Sequence, residues 1–333
     1  LDYSTGAEAF LLEPQSTNLT TYSSDWSVAN FNNSSVLLNT NVSPDGTQNS
    51  DTITFNGAFS AVRKNFTYTS GVTYTISFYA KKLSGTGIFD MYDNTNANTI
   101  ASFNFTDEWV RYSGTFTPSA NSSLVYWLRQ GAGTSLQTFL IWGGQVENQS
   151  YATSYIPTSG ASATRNQELC NNATPVINSE EGTLYAEISA LENDSVNYKA
   201  ISLSDGSTTN RVQFSYRQNA IVAYVSSGGV AQYSYAHTVS TTLNNHKIAL
   251  SYKGNDFKFF VDGELKNSST SGITFPINTL TKLAFNDGGS ANLFGNTKGL
   301  KVYPKALADV QLQDLTSWGS FAEMANALNY TIK

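Results

Sequence analysis

One cysteine, Cys170, stands in a chain of 333 residues. No intrachain disulfide can form, so the fold is not a small scaffold stapled by bridges. Histidine is nearly absent as well: His237 and His246 are the only two. They do not have metal-ligand spacing, and no Gly-x-Ser-x-Gly elbow accompanies them. Charge is scarce. Asp, Glu, Lys and Arg make up 13% of the residues, about half the usual share. The formal net charge is −6, with no basic stripe, which excludes an interface built on neutralising phosphates, so no nucleic acid is expected. No apolar run approaches the ~18 residues that span a bilayer, so no membrane insertion is expected. No charged-then-apolar signal segment opens the chain either. The chain begins at Leu1 rather than Met, which points to the distal part of a longer polypeptide or to a processed one.

What fills the gap is Ser, Thr, Asn and Gly, together with 19 Tyr and 19 Phe. Thr, Tyr and Phe suit a pleated, half-buried surface, so the composition points to an all-β protein. The length fits two domains of roughly 100–200 residues each. The sequons at Asn18 and Asn65 are what chance gives in so Asn/Ser/Thr-rich a chain.

Period-two alternation is clearest at 72–81, VTYTISFYAK. Val72, Tyr74, Ile76, Phe78 and Ala80 form one face; Thr73, Thr75, Ser77, Tyr79 and Lys81 form the other. Further strands are expected at 87–92, 99–105, 109–117, 123–130 and 137–147, separated by turn residues. That rhythm is one of a sandwich or jelly roll. Residues 148–180 are poor in apolar residues and read as a linker that packs on the first domain. A second β-rich run follows: 182–191, 198–204, 210–217, 220–227, 246–254, 256–266, 281–286 and 299–304. Gly254-Asn255-Asp256 and Asp262-Gly263 read as tight turns. Leu307, Val310, Leu312, Leu315, Phe321, Met324 and Leu328 are spaced for two short helices broken near Gly319.

Two segments carry a resemblance. FLIWGGQVENQSYATSYIPTSGASATRNQEL (139–169), beside LLEPQSTNL (11–19), resembles a carbohydrate-binding-like β-jelly roll. That module recurs in phage structural proteins and in some secreted marine-bacterial proteins. HKIALSYKGNDFKFFVDGEL (246–265), followed by FGNTKGLKVYPKALADVQLQDL (294–315), resembles the laminin-G-like, concanavalin A-type lectin fold. The expected architecture is therefore two tandem β-sandwich or jelly-roll domains with a short C-terminal helical tail. The boundaries are 1–168 for the jelly roll (including the linker from about 148), 178–317 for the lectin-like sandwich and 318–333 for the tail. The resemblance implies a fibre, spike or decoration component on a virion surface, or an extracellular protein. Its implied partners are a glycan on a bacterial surface and other virion proteins, and its implied assembly is a homotrimer. No cofactor is required by this reading.

Three chemistries are open to such a chain. Concanavalin A-type glycosidases set acids on one strand of a cleft. Glu187 and Glu192 have such spacing, but Ser189 replaces the central Asp, so the pair reads as solvated carboxylates on an edge strand. No enzyme is expected; a glycan depolymerase is the alternative, a purely structural decoration protein the other. Calcium is the second chemistry. Asp45, Asn49 and Asp51 offer hard oxygens in SPDGTQNSD, and Glu13 and Glu147 lie on segments that pair at the edge of similar jelly rolls, where a structural Ca2+ often sits. Asn286 and Asp287, before Gly288-Gly289, are a further candidate. Sugar binding is the third, and it needs an aromatic plane beside planar polar groups. Tyr79 and Lys81 lie on the wet face of 72–81. Alternation along 123–130 puts Trp127 and Arg129 on one face, with Tyr126 and Leu128 opposite. Trp142 joins this candidate site, and Trp109 reads as core. Tyr224, Tyr233 and Tyr235 form a looser cluster in the second domain.

Overall fold

Alternating apolar and polar residues dictate sheets with one face dry, and two such faces must meet. A computed structural model describes residues 9–123, 125–132, 136–171, 173–193 and 198–327. The expected apolar position Leu328 lies outside them. The described part is all-β, and the chain divides into two compact units. The first is Gln15–Gln167; the second joins Leu1–Pro14 to Glu168–Lys333.

The opening strand β1 (Phe10–Leu12) belongs to the second unit. The first unit then runs β2 (Ser16–Asn18), β3 (Asn30–Asn32), β4 (Ser34–Asn41), β5 (Ser50–Phe55), β6 (Ala61–Arg63) and β7 (Tyr74–Ser84). It continues with β8 (Ile88–Asp93), β9 (Asn98–Asn104), β10 (Val110–Phe116), β11 (Val125–Arg129), β12 (Gln137–Glu147) and β13 (Ala163–Arg165). Two five-stranded antiparallel sheets result, β10-β7-β12-β5-β4 and β3-β6-β11-β8-β9, with β13 paired to β2. Between the two sheets lie Ile76, Phe78 and Ala80 of β7, Phe139 and Ile141 of β12, and Met91, Val125 and Trp127. The opposite face of β7 is also covered. Thr75 Oγ1 donates to the Gln149 carbonyl (2.8 Å), and the Ile156 amide donates to Gln145 Oε1 (2.7 Å), so 149–156 lies over that sheet.

The second unit runs β14 (Glu181–Ala190), β15 (Lys199–Ser204), β16 (Arg211–Arg217), β17 (Ala220–Ser227) and β18 (Val230–Thr238). It continues with β19 (His246–Lys253), β20 (Asp256–Val261), β21 (Glu264–Ser269), β22 (Lys282–Ala284) and β23 (Gly295–Tyr303). Its sheets are β1-β23-β14-β19-β20-β21 and β18-β17-β16-β15-β22. Leu184, Ile188, Ile201, Phe214, Val225, Leu250 and Phe259 share the core between them. The turns at Asn255 and at Asp262-Gly263 adopt positive φ, as a tight reversal requires (59°, then 51° and 84°). Helix α1 (Asp309–Thr316) lays Leu312 on Tyr185, Ala249 and Phe260, so the six-stranded sheet has an outer core too. A second short helix, α2 (Phe321–Ala327), follows Gly319.

The chain start is placed differently from the 1–168 expectation. Phe10, Leu11 and Leu12 pair with Thr297, Asn296 and Gly295, and Leu12 is buried in the second unit's core. The apolar pair Leu11-Leu12 reads as a strand but carries no label for the sheet it joins.

Candidate functional site

Strand β11 decides what the first unit presents. Regular alternation would set Trp127 and Arg129 on one face. The strand is bulged instead: Tyr126 pairs with Tyr92 and Arg129 with Asp90, three steps against two. The extra residue shifts the phase, as a bulge does. Trp127 and Leu128 both turn inward, and Tyr126 and Arg129 come out on the same side, half-buried. Trp127 is 0% exposed, edge-on to Trp26 with centroids 5.5 Å apart. It has no face to offer a sugar, which corrects its assignment as a ligand platform.

Nor do the other expected residues share a surface with Arg129. Tyr79 lies on β7 in the other sheet, its ring tilted against Trp142 (5.5 Å), which in turn packs on Tyr155 (4.4 Å). Trp142 is buried and Tyr79 half-buried. The Arg111 guanidinium sits 5.5 Å over the Tyr79 ring. This aromatic cluster fixes the 149–156 cover to the sheet. Lys81 reaches Glu108 at 4.0 Å, a solvent-side pair. Trp109 is half-buried rather than core, and its Nε1 donates to the Val42 carbonyl (3.3 Å).

Arg129 instead belongs to a polar row that crosses a whole sheet: Asn32, Ala61, Arg129, Asp90 and Ser102 are cross-strand partners in turn. Opposed residues share a face. The Arg129 guanidinium lies 3.1 Å from the centroid of the Tyr92 ring. Ser102 Oγ donates to Asp90 Oδ1 (2.7 Å). Over this row opens a cleft of about 300 Å3, lined by Asn32, Phe59, Asn94, Tyr126, Arg129 and Gln130, with Ala61 and Gly131. Arg129 is the one charged side chain in that lining.

Two features of the cleft were not read from the sequence. Phe59 is 64% exposed and holds φ at 58°, a left-handed conformation that costs a side-chain-bearing residue about 1–2 kcal/mol. The backbone is held there because the Phe59 amide donates to Gly131 (3.3 Å) and Asn32 Nδ2 donates to the Phe59 carbonyl (2.8 Å). Gln130 is 3% exposed; its Nε2 donates to the Gly57 carbonyl, and its buried Oε1 has no partner. The signal for the first was the turn NGAFS (56–60), where an aromatic follows Asn-Gly.

The calcium candidates do not come together. Ser43, Thr47 and Asn49 donate to the Asp45 carboxylate in an Asx-type turn. Slight burial opposes the effect, but these bonds hold its pKa down at about 2. Asp51 is buried elsewhere in the unit, accepting from the Trp26 amide (2.9 Å) and the Asn39 amide (2.8 Å). Burial raises its pKa, and those two amides oppose the rise. Glu13 and Glu147 fall in different units, because β1 pairs in the second one. Among the described residues no three His, Cys, Asp or Glu side chains converge as a metal site. Asn286 and Asp287 cap their own loop, accepting from the amides of Gly288 (2.8 Å) and Gly289 (2.9 Å).

Glu147 is fully buried and serves as an acceptor hub. It takes hydrogen bonds from Ser16 Oγ (2.5 Å), Gln149 Nε2 (3.1 Å), the Thr153 amide (3.0 Å) and Thr153 Oγ1. Glu147→Ala orphans these donors and is expected to cost about 2 kcal/mol in chemical denaturation. Glu147→Gln keeps one carbonyl acceptor and sets an amide N–H against the Thr153 N–H, so a smaller loss of about 1 kcal/mol is expected. Equal stability of all three proteins would show that the hub carries no weight.

In the second unit, Glu187 and Glu192 do not form an acid pair. β14 lies inside its sheet, between β19 and β23, rather than at an edge. Glu187 accepts from Asn245 Nδ2 (2.6 Å), while Glu192 pairs with Lys199 (3.0 Å). His246 Nδ1 bonds Asp262 Oδ2 (2.7 Å). The three tyrosines divide between faces. Tyr233 stacks on Phe257 (5.6 Å) and Tyr235 lies edge-on to Phe259 (6.4 Å), whereas Tyr224 points outward with Gln213.

No protein-family model matches the chain, and no curated protein matches it. Solved structures show partial likenesses. The CBM40 module of the Ruminococcus gnavus IT-sialidase is 15% identical, over 42% of this chain and 84% of its own, with a TM-score of 0.36. A heptameric SAP-like pentraxin from Limulus polyphemus is 9% identical, over 45% of this chain and 81% of its own, with a TM-score of 0.35. The NanB sialidase of Streptococcus pneumoniae, as its K499G mutant, is 16% identical, over 41% of this chain and 24% of its own, with a TM-score of 0.34. Each likeness covers less than half of this chain.

Proposed function

We infer that the chain is a non-catalytic glycan-binding protein and that the cleft over β11 is a binding site. The observation that carries this reading is Phe59. An apolar ring is held out in solvent, on a strained backbone, at the rim of a floor made of Asn32, Asn94, Arg129 and Gln130. A pyranose has an apolar C–H face and a rim of hydroxyls, which this pairing of ring and polar floor complements. The unpaired Gln130 Oε1 is an acceptor waiting for a hydroxyl. With one charged residue in the lining and an acidic chain overall, a neutral or hydroxyl-rich glycan is favoured over a polyanion. The non-catalytic reading rests on Glu187 and Glu192 being engaged with separate partners.

The setting assigned is an exposed surface, that of a virion fibre, spike or decoration or of an extracellular assembly, facing glycans on a bacterium. A homotrimer set among other virion proteins would repeat a shallow, weak site and raise its avidity.

The test is a glycan array on the full chain, with Phe59→Gly and Arg129→Ala beside it and product release measured in the same wells. Both variants are expected to weaken binding about tenfold, some 1.4 kcal/mol. Phe59→Gly should keep the melting temperature or raise stability by up to about 1 kcal/mol, because Gly accepts positive φ. Unchanged binding in both variants sinks the site, and released oligosaccharide sinks the non-catalytic reading.

A further inference from the structure

The second unit has a cleft of its own, on the outward face of its five-stranded sheet. It holds about 240 Å3 and is lined by Tyr198, Arg211, Gln213, Tyr224, Ser234 and Asp287, with Val222. The register explains why these residues meet. Ser234, Tyr224, Gln213 and Ser202 are cross-strand partners in one row over β18, β17, β16 and β15. Val222, Ser215 and Ala200 form the next row. Their chain neighbours Ile201, Leu203, Phe214, Ala223 and Val225 fill the core beneath.

Four polar atoms of this face are buried with no hydrogen-bond partner: Gln213 Oε1, Ser202 Oγ, Ser215 Oγ and Arg211 Nε. Gln213 is 6% exposed, Ser215 2% and Ser202 0%. Buried polar groups are ordinarily satisfied. Of these residues Gln213 and Arg211 line the cleft, and their unsatisfied atoms mark a lining whose partners come from outside the chain. The walls complete the chemistry. The Arg211 guanidinium lies 5.1 Å over the Tyr224 ring, which fixes both. Asp287 Oδ1 accepts from the amides of Gly289 (2.9 Å) and Ala291 (3.2 Å), and its Oδ2 takes no hydrogen bond among the described residues.

We propose that this cleft is a second binding site, for a single neutral hexose ring bearing a vicinal diol. One hydroxyl donates to Asp287 Oδ2 and its neighbour accepts from Arg211, while Gln213 takes a further hydroxyl. Tyr224 supplies the flat apolar wall for the ring's C–H face. Among the described lining residues one cation, Arg211, stands against one carboxylate, Asp287, so neither sign of charge dominates. This cleft shares no residue, sheet or unit with the one over β11.

The test uses the intact chain and three probes, the methyl glycosides of glucose, galactose and mannose, titrated by calorimetry and by ligand-observed NMR. Saturable binding of at least one is expected. Gln213→Leu and Asp287→Asn are each expected to weaken it about tenfold or more. Gln213→Leu removes a buried unpaired acceptor, and Asp287→Asn keeps the Oδ1 acceptor that caps the loop, so both should melt with the parent. On a Phe59→Gly background, which removes the first-unit contribution, the remaining binding should still be weakened by Gln213→Leu and by Asp287→Asn. Failure of all three probes to bind overturns the proposal. So does wild-type affinity in Gln213→Leu and Asp287→Asn, or loss of the signal in Phe59→Gly alone.

Discussion

Trp127→Ala is expected to destabilise the first unit by about 4 kcal/mol and to lower its melting temperature by roughly 10 °C. The side chain is 0% exposed and packs between Trp26 at 5.5 Å and Phe78 at 6.4 Å. Gly144 is small because this ring is there: a Cβ at 144 would stand 2.9 Å from Trp127 and 3.2 Å from Trp26. Truncation therefore opens a cavity that the rigid sheets above and below cannot close. Trp127→Phe should cost far less, about 1–2 kcal/mol, because the indole Nε1 has no partner to lose. The measurement is thermal and chemical denaturation of both variants, with glycan binding assayed below the transition. If Trp127 were a ligand platform, the alanine variant would bind nothing and melt with the parent. That result would overturn the core assignment and the cleft built on the other side of β11.

The same strand shows why the fold was more legible than the site. All-β architecture, two units and most long strands follow from a period of two, which a stretch such as 74–84 displays in sequence. Only one face of a sheet must be apolar, so β4 (SSVLLNTN), at a sheet edge with both sides largely wet, carries no such signal. β18 (VAQYSYAHT), the outer strand beyond Gly228-Gly229, turns Tyr233 and Tyr235 to the core, but a dry face made of tyrosines gives only a weak apolar pattern. A bulge is one residue of extra length against a partner strand, and nothing local to VYWLR announces it. Without the bulge, Trp127 and Arg129 share a face; with it, Tyr126 and Arg129 do. One residue of phase thus separates a misplaced site from the cleft observed.

The carboxylates read as calcium candidates are engaged within the protein for a related reason. Oxygen-rich sequence offers ligands, but the backbone claims them first. Asp45 is spent on its own turn, Asp51 on the amides of Trp26 and Asn39, and Glu147 on Ser16, Gln149 and Thr153. In a chain with so few charges, buried carboxylates act as joints between segments far apart in sequence. Arg129 differs because its partner is an aromatic face rather than an acid, which leaves its donors to the cleft. Phe59 shows the limit from the other side. A left-handed phenylalanine is visible only once the backbone is known.

Stability of the first unit is expected to rise with pH between about 7 and 9.5, and Lys64→Met is expected to abolish that rise. Lys64 is 4% exposed. Burial pushes its pKa from 10.5 down to about 7, against the pull of Asp25 and Asp51. Its ammonium donates to the carbonyls of Tyr22 and Asp25 and sits 4.3 Å over the Trp26 ring. An unfolded chain keeps the lysine proton up to about 10.5, whereas the folded unit releases it above about 7. Across that window the unfolded state binds more protons, so raising the pH favours folding, by at most about 1.4 kcal/mol per pH unit. Integrated from pH 7, the gain reaches about 3 kcal/mol by pH 9.5. Tyr155, whose pKa burial raises, acts in the opposite direction only as the pH nears the ordinary tyrosine range. The window below that range therefore belongs to Lys64. Denaturant midpoints at three pH values, in parent and Lys64→Met, decide the matter. Parallel profiles would mean that Lys64 keeps its proton in the fold, held by the Tyr22 and Asp25 carbonyls more tightly than burial expels it.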